Sequence, residues 1–191
     1  MVVLETPRLV LRRIEPDDLD ALCALYRDPE VRRYIPEGVL GREETREEMA
    51  WHLHGHRDDP DLGLWATIER ASGAFLGRCW LLPWDVEGRR EVELAYLIDR
   101  ARWGEGFATE AARGIVEHAT RVLRLPRLVA FVMPGNVASE RVAMNAGLAF
   151  EREAEVEGDR ALVYARRLSP PDASDRSSAL PRAARPTRGR G

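Results

Sequence analysis

The sequence predicts an α/β fold in which a mixed central sheet carries helices on both faces. Three observations support it. Residues 8–12, Arg-Leu-Val-Leu-Arg, form a short apolar run between arginines and read as an opening strand. From residue 92 onward the pattern runs strand, Gly-rich turn, helix, strand, the order that joins strands through a crossover helix. The 191 residues are 45% hydrophobic and 32% charged, enough apolar surface for one domain to bury a core without disulfides.

Each element follows from local chemistry. Arg8-Leu9-Val10-Leu11-Arg12 reads as the opening strand. Pro16-Asp17-Asp18 then begins a helix, with acids in the first turn suiting the positive end of the dipole. Its Leu19, Leu22, Cys23 and Tyr26 fall at i, i+3, i+4 and i+7, one apolar face. A short helical piece is expected at 29–34, and a longer one, rich in Glu and Arg, at 42–56. Strands at 64–69 and 75–82 join across Ala71-Ser72-Gly73, a hairpin signal, and another strand spans 92–99. A helix at 106–123 carries the stripe Phe107, Ala111, Ile115 and Ala119. A buried strand at 128–132 leads through Met133-Pro134-Gly135 to a helix at 138–145, ended by Gly147. Strands at 150–157 and 162–167 turn at Gly158-Asp159. The folded domain is assigned to 1–168. Residues 169–191, rich in Arg, Pro and Ser, have no periodic apolar face and read as a disordered tail.

Composition excludes several functions. A net charge of −3 argues against a broad nucleic-acid surface, and no specific nucleic-acid partner is expected. All basic residues are Arg, so Schiff-base and Walker lysines are ruled out. Cys23 and Cys79 are too few for a disulfide framework or a cysteine zinc site. Glu5 arrives before any apolar run, and no stretch approaches the roughly 18–20 apolar residues of a membrane span, so a cytoplasmic protein without a membrane partner is expected. His52, His54 and His56 lack a convincing further ligand, and no metal is expected. Glu43, Glu44, Glu47 and Glu48 read as a solvated helix face, or else as an acidic lip for a cationic amine. Trp51, Trp65, Trp80 and Trp84 read as core or cleft-wall residues. Oligomeric state, a homodimer included, is left open.

Two stretches carry chemistry. In Trp103-Gly104-Glu105-Gly106-Phe107-Ala108-Thr109-Glu110-Ala111 a strand gives way to a helix through two glycines. Backbone N–H groups there can approach a phosphate closely, and the helix N-terminus favours an anion. The run lacks the Walker Gly-Lys pair, and Thr109 stands at the third glycine of a dinucleotide fingerprint. A plain Gly-lightened turn is the competing reading. In the second stretch, Asn136 can cap a helix or fix a strand end, and Ser139 places a hydroxyl one short turn later.

Together these stretches resemble the Gcn5-related N-acetyltransferase (GNAT) superfamily, and more closely its RimJ/RimL branch. The resemblance covers about residues 5–167. It includes Thr6-Pro7-Arg8-Leu9-Val10-Leu11-Arg12, Asp28-Pro29-Glu30-Val31 with Tyr34-Ile35-Pro36, Glu93-Leu94-Ala95-Tyr96, the Gly-rich run, and Asn136 with Ser139 and Gly147. It implies the GNAT fold and an acetyl-CoA-dependent N-acetyltransferase acting on a primary amine by direct attack. Backbone amides from Trp103 through Gly104, Glu105, Gly106, Phe107 and Ala108 to Thr109 would hold the pyrophosphate. The pantetheine arm would lie along Leu97, Ile98 and Asp99, and Asn136 and Ser139 would contact the arm and thiol. Glu93 is the first candidate base, Glu91 the second, and a solvent-facing strand carboxylate is the alternative for Glu93. Ser139, or else water, is the candidate acid, because Ala143 occupies the place where other branches carry a tyrosine. The acceptor could be a protein N-terminus or a small molecule. An antibiotic amine acetyltransferase of the aminoglycoside type and a non-catalytic acyl-CoA-binding module are the rivals.

Overall fold

A computed structural model describes residues 1–57 and 59–168. The tail assigned to 169–191 lies outside the described residues. Eight strands form one sheet: β1 (Val2–Glu5), β2 (Leu9–Arg13), β3 (Gly63–Glu69), β4 (Phe75–Val86), β5 (Arg89–Ile98), β6 (Arg127–Val132), β7 (Ala149–Val156) and β8 (Asp159–Arg167). Four α-helices accompany it: α1 (Leu19–Arg27), α2 (Arg42–His52), α3 (Phe107–Arg121) and α4 (Val137–Asn145). The spatial order is β1-β2-β3-β4-β5-β6-β8-β7. Every neighbouring pair is antiparallel except β5 and β6, which run parallel. That exception is required by α3, the crossover between them.

Alternation along the strands builds two layers. Leu9, Leu11, Trp65, Cys79, Leu81 and Leu94 face the α3 stripe of Phe107, Ala111, Ile115 and Ala119 in one core. Their strand neighbours face the other way, where Leu64 packs against Leu22, Tyr26 and Met49 of α1 and α2. Helices therefore cover both faces, as the apolar stripes require.

Several expectations shift. β1 precedes the opening strand and was not expected; its four residues are too few to show a period without their partner β2. Pro16–Asp18 forms a 3-10 turn, and α1 begins only at Leu19. Residues 29–34 are turns, because Pro29 and Pro36 bracket too little chain to propagate a helix. α2 stops at His52. β4 and β5 are longer than expected and meet at Glu87-Gly88.

The entry to α1 is fixed by charge. Both Asp18 carboxylate oxygens accept from the Arg12 guanidinium at 2.7 Å, and one also accepts from the Glu15 backbone N–H at 2.8 Å. Asp18 is buried, so its removal would orphan these donors. Asp18→Ala is expected to cost about 1–3 kcal/mol, read as a lower urea midpoint with an unchanged slope.

Candidate active site

Parallel strands joined through a helix open a crevice beyond their C-terminal ends. β5 and β6 touch at a single register position, Glu93↔Val129. Beyond it, residues 94–98 pair with β4 on one side only. The Asp99 N–H donates to the Leu76 carbonyl at 2.7 Å. Strand alternation turns the Leu97 N–H toward β4 as well and leaves those of Tyr96 and Ile98 facing the gap. Of the three residues expected along the pantetheine arm, Ile98 thus offers the open N–H. Asp99 instead accepts from the Ala101 N–H at 3.0 Å, shaping the turn that follows.

Glu93 stands at the apex of the gap. Its side chain lies on the α1–α2 face and is 6% exposed. One carboxylate oxygen accepts from the Trp80 indole N–H at 3.0 Å. Burial pushes its pKa up to about 7, resisted by the Trp80 and Trp84 indoles, the Arg78 charge and the Phe131 backbone N–H. The solvent-facing reading of Glu93 is therefore incorrect. Glu91, two residues earlier on the same face, binds the Arg127 guanidinium at 3.0 Å, and Arg127 also pairs with Glu151. That ion pair occupies Glu91.

Tyr96 projects to the opposite face, and its hydroxyl donates to the Ser139 carbonyl at 2.9 Å. The same hydroxyl lies 3.1 Å from Ser139 Oγ. A phenol thus sits beside the predicted hydroxyl, supplied by β5 rather than by α4, where Ala143 is fully buried in the core. Burial pushes the Tyr96 phenol well above its ordinary value and keeps it protonated. Sequence reasoning missed Tyr96 because the pairing spans 43 residues. Its place in the stretch Glu93-Leu94-Ala95-Tyr96, on the strand that carries Glu93, was the available signal. Asn136 caps α4, its Oδ1 accepting from the Ser139 N–H at 3.2 Å.

The Gly-rich turn lies where β5 ends. Gly104 and Gly106 have φ of +82° and +83°, a region that favours glycine. A Cβ at Gly104 would meet nothing within 4 Å, so the backbone there is open to close approach. Gly106 is the N-cap of the 15-residue helix α3, whose positive end faces the turn. Trp103 is half exposed, and its indole N–H donates to the Ile98 carbonyl at 2.8 Å, tying turn to strand. Phe107 is buried, with the Arg8 and Arg102 guanidinium groups over its ring. Glu105 pairs with Arg102 at 3.0 Å, while its carbonyl accepts from Arg8 at 3.0 Å. In the first turn of α3, Glu110 accepts from the Thr6 hydroxyl at 2.6 Å and from the Arg8 backbone N–H at 2.8 Å. Ala108 and Thr109 complete that turn. Open backbone and a helix N-terminus fit a pyrophosphate; the flanking Arg8 and Arg102 are already paired, with Glu110 at 2.6 Å and with Glu69 at 2.7 Å, and brace the turn.

Other expectations are revised. Glu44 accepts from the Gly41 N–H, Glu43 pairs with Arg46, and Glu48 accepts from Tyr26 at 2.5 Å. Glu43, Glu44 and Glu47 are exposed, as a solvated helix face requires, and Glu48 is half-buried; with Glu43, Glu44 and Glu48 engaged locally the face is not a free acidic lip. Trp51 is 82% exposed, neither core nor cleft wall.

Residues 8–149 match the family described as acetyltransferase (GNAT) domain. The uncharacterized protein YkkB of Bacillus subtilis (strain 168) is 32% identical over 165 residues, covering 86% of this chain and 95% of that protein. Among solved structures, a GNAT-family acetyltransferase from Bacillus anthracis superposes with a TM-score of 0.75 at 23% identity, covering 87% of this chain and 98% of that one. RimL, a ribosomal L7/L12 alpha-N-protein acetyltransferase solved with coenzyme A, superposes at 0.70 and 19% identity, covering 88% and 98%. At these identities the structural likeness speaks for the fold alone.

Proposed function

The chain belongs to the GNAT acetyltransferase family, and from that membership we propose that it transfers the acetyl group of acetyl-CoA to a primary amine by direct attack. The observation that carries this reading is the division of proton chemistry across β5. A carboxylate with a pKa of about 7 lies on one face of the open gap, and a phenol–hydroxyl pair lies on the other.

Acetyl-CoA, when bound, supplies an activated thioester. The chain's own groups do the rest. Backbone N–H groups of residues 104–109 hold the pyrophosphate, whereas that of Trp103, also expected there, donates to the Arg100 carbonyl at 3.2 Å. The Ile98 N–H donates to the thioester oxygen as negative charge develops there. Glu93 takes the proton from the incoming ammonium on the α1–α2 face; a base near 7 is matched to that task at neutral pH. Tyr96, with Ser139 beside it, returns a proton to the departing thiolate on the α3–α4 face. The thiol-release assay below separates this reading from a non-catalytic acyl-CoA-binding module.

Release of free thiol from acetyl-CoA, followed over a panel of amine acceptors, tests the reading; no acceptor-dependent release would refute it. Tyr96→Phe keeps the ring and removes the hydroxyl. It is expected to lower kcat by about tenfold, because solvent still protonates a thiolate slowly, with acetyl-CoA affinity unchanged by calorimetry. Ser139→Ala is expected to have a smaller effect.

A further inference from the structure

β4 carries an arginine where its neighbours are apolar. Arg78 is 1% exposed, and Arg32, from the segment between α1 and α2, is 2% exposed. Arg78 Nε donates to the Tyr26 hydroxyl at 3.0 Å, but its two terminal nitrogens, both buried, have no hydrogen-bond partner. Arg32 Nε donates to the Gly38 carbonyl at 2.5 Å, its Nη2 is 3.8 Å from Glu37, and its buried Nη1 has no partner. Both guanidinium groups lie against the Tyr26 ring, at 5.5 and 4.7 Å. Glu48, which accepts from the Tyr26 hydroxyl, and Glu37 offset part of this charge, yet three buried guanidinium nitrogens remain without a partner, an arrangement that favours an anion.

The position relative to Glu93 narrows the choice. Arg78 stacks on Trp80 at 3.7 Å from the ring centre, and the indole N–H of that ring binds Glu93. Between them on the same face, Trp80, Ala95 and Leu97 keep some exposure, and Ala95 contributes only a methyl group. A molecule lying on this patch would have one end at Glu93 and the other at Arg78.

We infer that the acceptor is a small amine bearing a carboxylate or phosphate group, with Arg78 and Arg32 binding the anion and Glu93 facing the amine. This rests on the acetyltransferase reading above. It distinguishes the acceptor from polycations such as aminoglycosides and from neutral peptide N-termini. The guanidinium fork suits either anion, and the two are separated by experiment.

Two paired comparisons provide the test: norleucine against norleucinamide, and phosphoethanolamine against ethanolamine. Thiol release should favour the anionic member of at least one pair by 10–100-fold in kcat/KM, the usual scale for a hydrogen bond to a charged group; the pair that responds identifies the anion. Arg78→Met, which keeps the stem on Trp80, should raise KM for that acceptor by the same factor; because the Arg78 charge also holds the Glu93 carboxyl down, the acid limb should move to higher pH, with kcat on the plateau staying within about threefold. Arg32→Met should act in the same direction. Loss of the Arg78 Nε bond to Tyr26 is offset by removal of two buried donors without partners, so the melting temperature should change little. Calorimetry of the same acceptors without acetyl-CoA separates the two readings. Binding that Arg78→Met abolishes, without turnover, would uphold the anion site and refute transfer. Equal turnover of both members of each pair, better turnover of a C-terminally amidated tripeptide, or an Arg78→Met protein that is less stable and uniformly slow would overturn the proposal and leave transfer standing. Neither binding nor preference would overturn it too.

Discussion

Glu93→Gln is expected to lower kcat by on the order of 10²–10⁴-fold, the range for a general base, while acetyl-CoA affinity stays as it is. The wild-type rate should rise with pH to a plateau, half-maximal near the raised carboxyl value of about 7; the glutamine variant should lose that acid limb. The carboxyl also leaves a signature in stability. Its folded pKa lies above the ordinary 4.5, so the folded state holds this proton more tightly. Its contribution to stability is complete below about 4.5, declines as pH rises toward 7 and is flat above that. Urea midpoints across pH 4–8 should show this decline in the wild type and a shallower one in Glu93→Gln. A loss confined to acceptor KM would make Glu93 a binding group. Unaltered kcat and pH dependence would remove it from the proton path.

Gly106→Val should weaken acetyl-CoA binding by on the order of 100-fold, equivalent to losing one or two hydrogen bonds to a charged group. The residue sits at φ +83° at the head of α3, where a branched side chain is strained and the adjoining N–H groups are displaced. Gly88→Val provides the control. Gly88 has a φ of +75° and open space around its Cβ position, but lies in the β4–β5 turn. Both variants should lose about 1–2 kcal/mol of stability, and only Gly106→Val should lose affinity in calorimetry. Unchanged affinity in a folded Gly106→Val protein would place the pyrophosphate elsewhere.

Local chemistry made much of this legible. The α3 stripe, the Gly-rich turn and the Asn136 cap each depend on residues a few positions apart, and each lies where the sequence indicates. Glu93 was recognisable by its strand and spacing, whereas its burial was not, because the enclosing Trp80 and Phe131 belong to other strands. Tyr96 was hidden for a similar reason, since its partner arrives on α4. Arg78 left a fainter trace. An arginine within Phe75-Leu76-Gly77-Arg78-Cys79-Trp80-Leu81-Leu82 breaks an otherwise apolar run, and a charge in such a place usually has a task.

The clamp on Glu110 bears on how the protein is made. Its partners Thr6 and Arg8 stand 104 and 102 residues earlier in the chain. The loop after β1 emerges from the ribosome long before the helix that it braces, and closing so large a loop is a slow step in folding. The Gly-rich turn therefore acquires its support only after most of the sheet has assembled, and a nascent chain should gain affinity for acetyl-CoA late and in one step. Shortening the N-terminus past Arg8 should have the same effect from the other direction: cofactor affinity would fall although every residue of the turn remained in place.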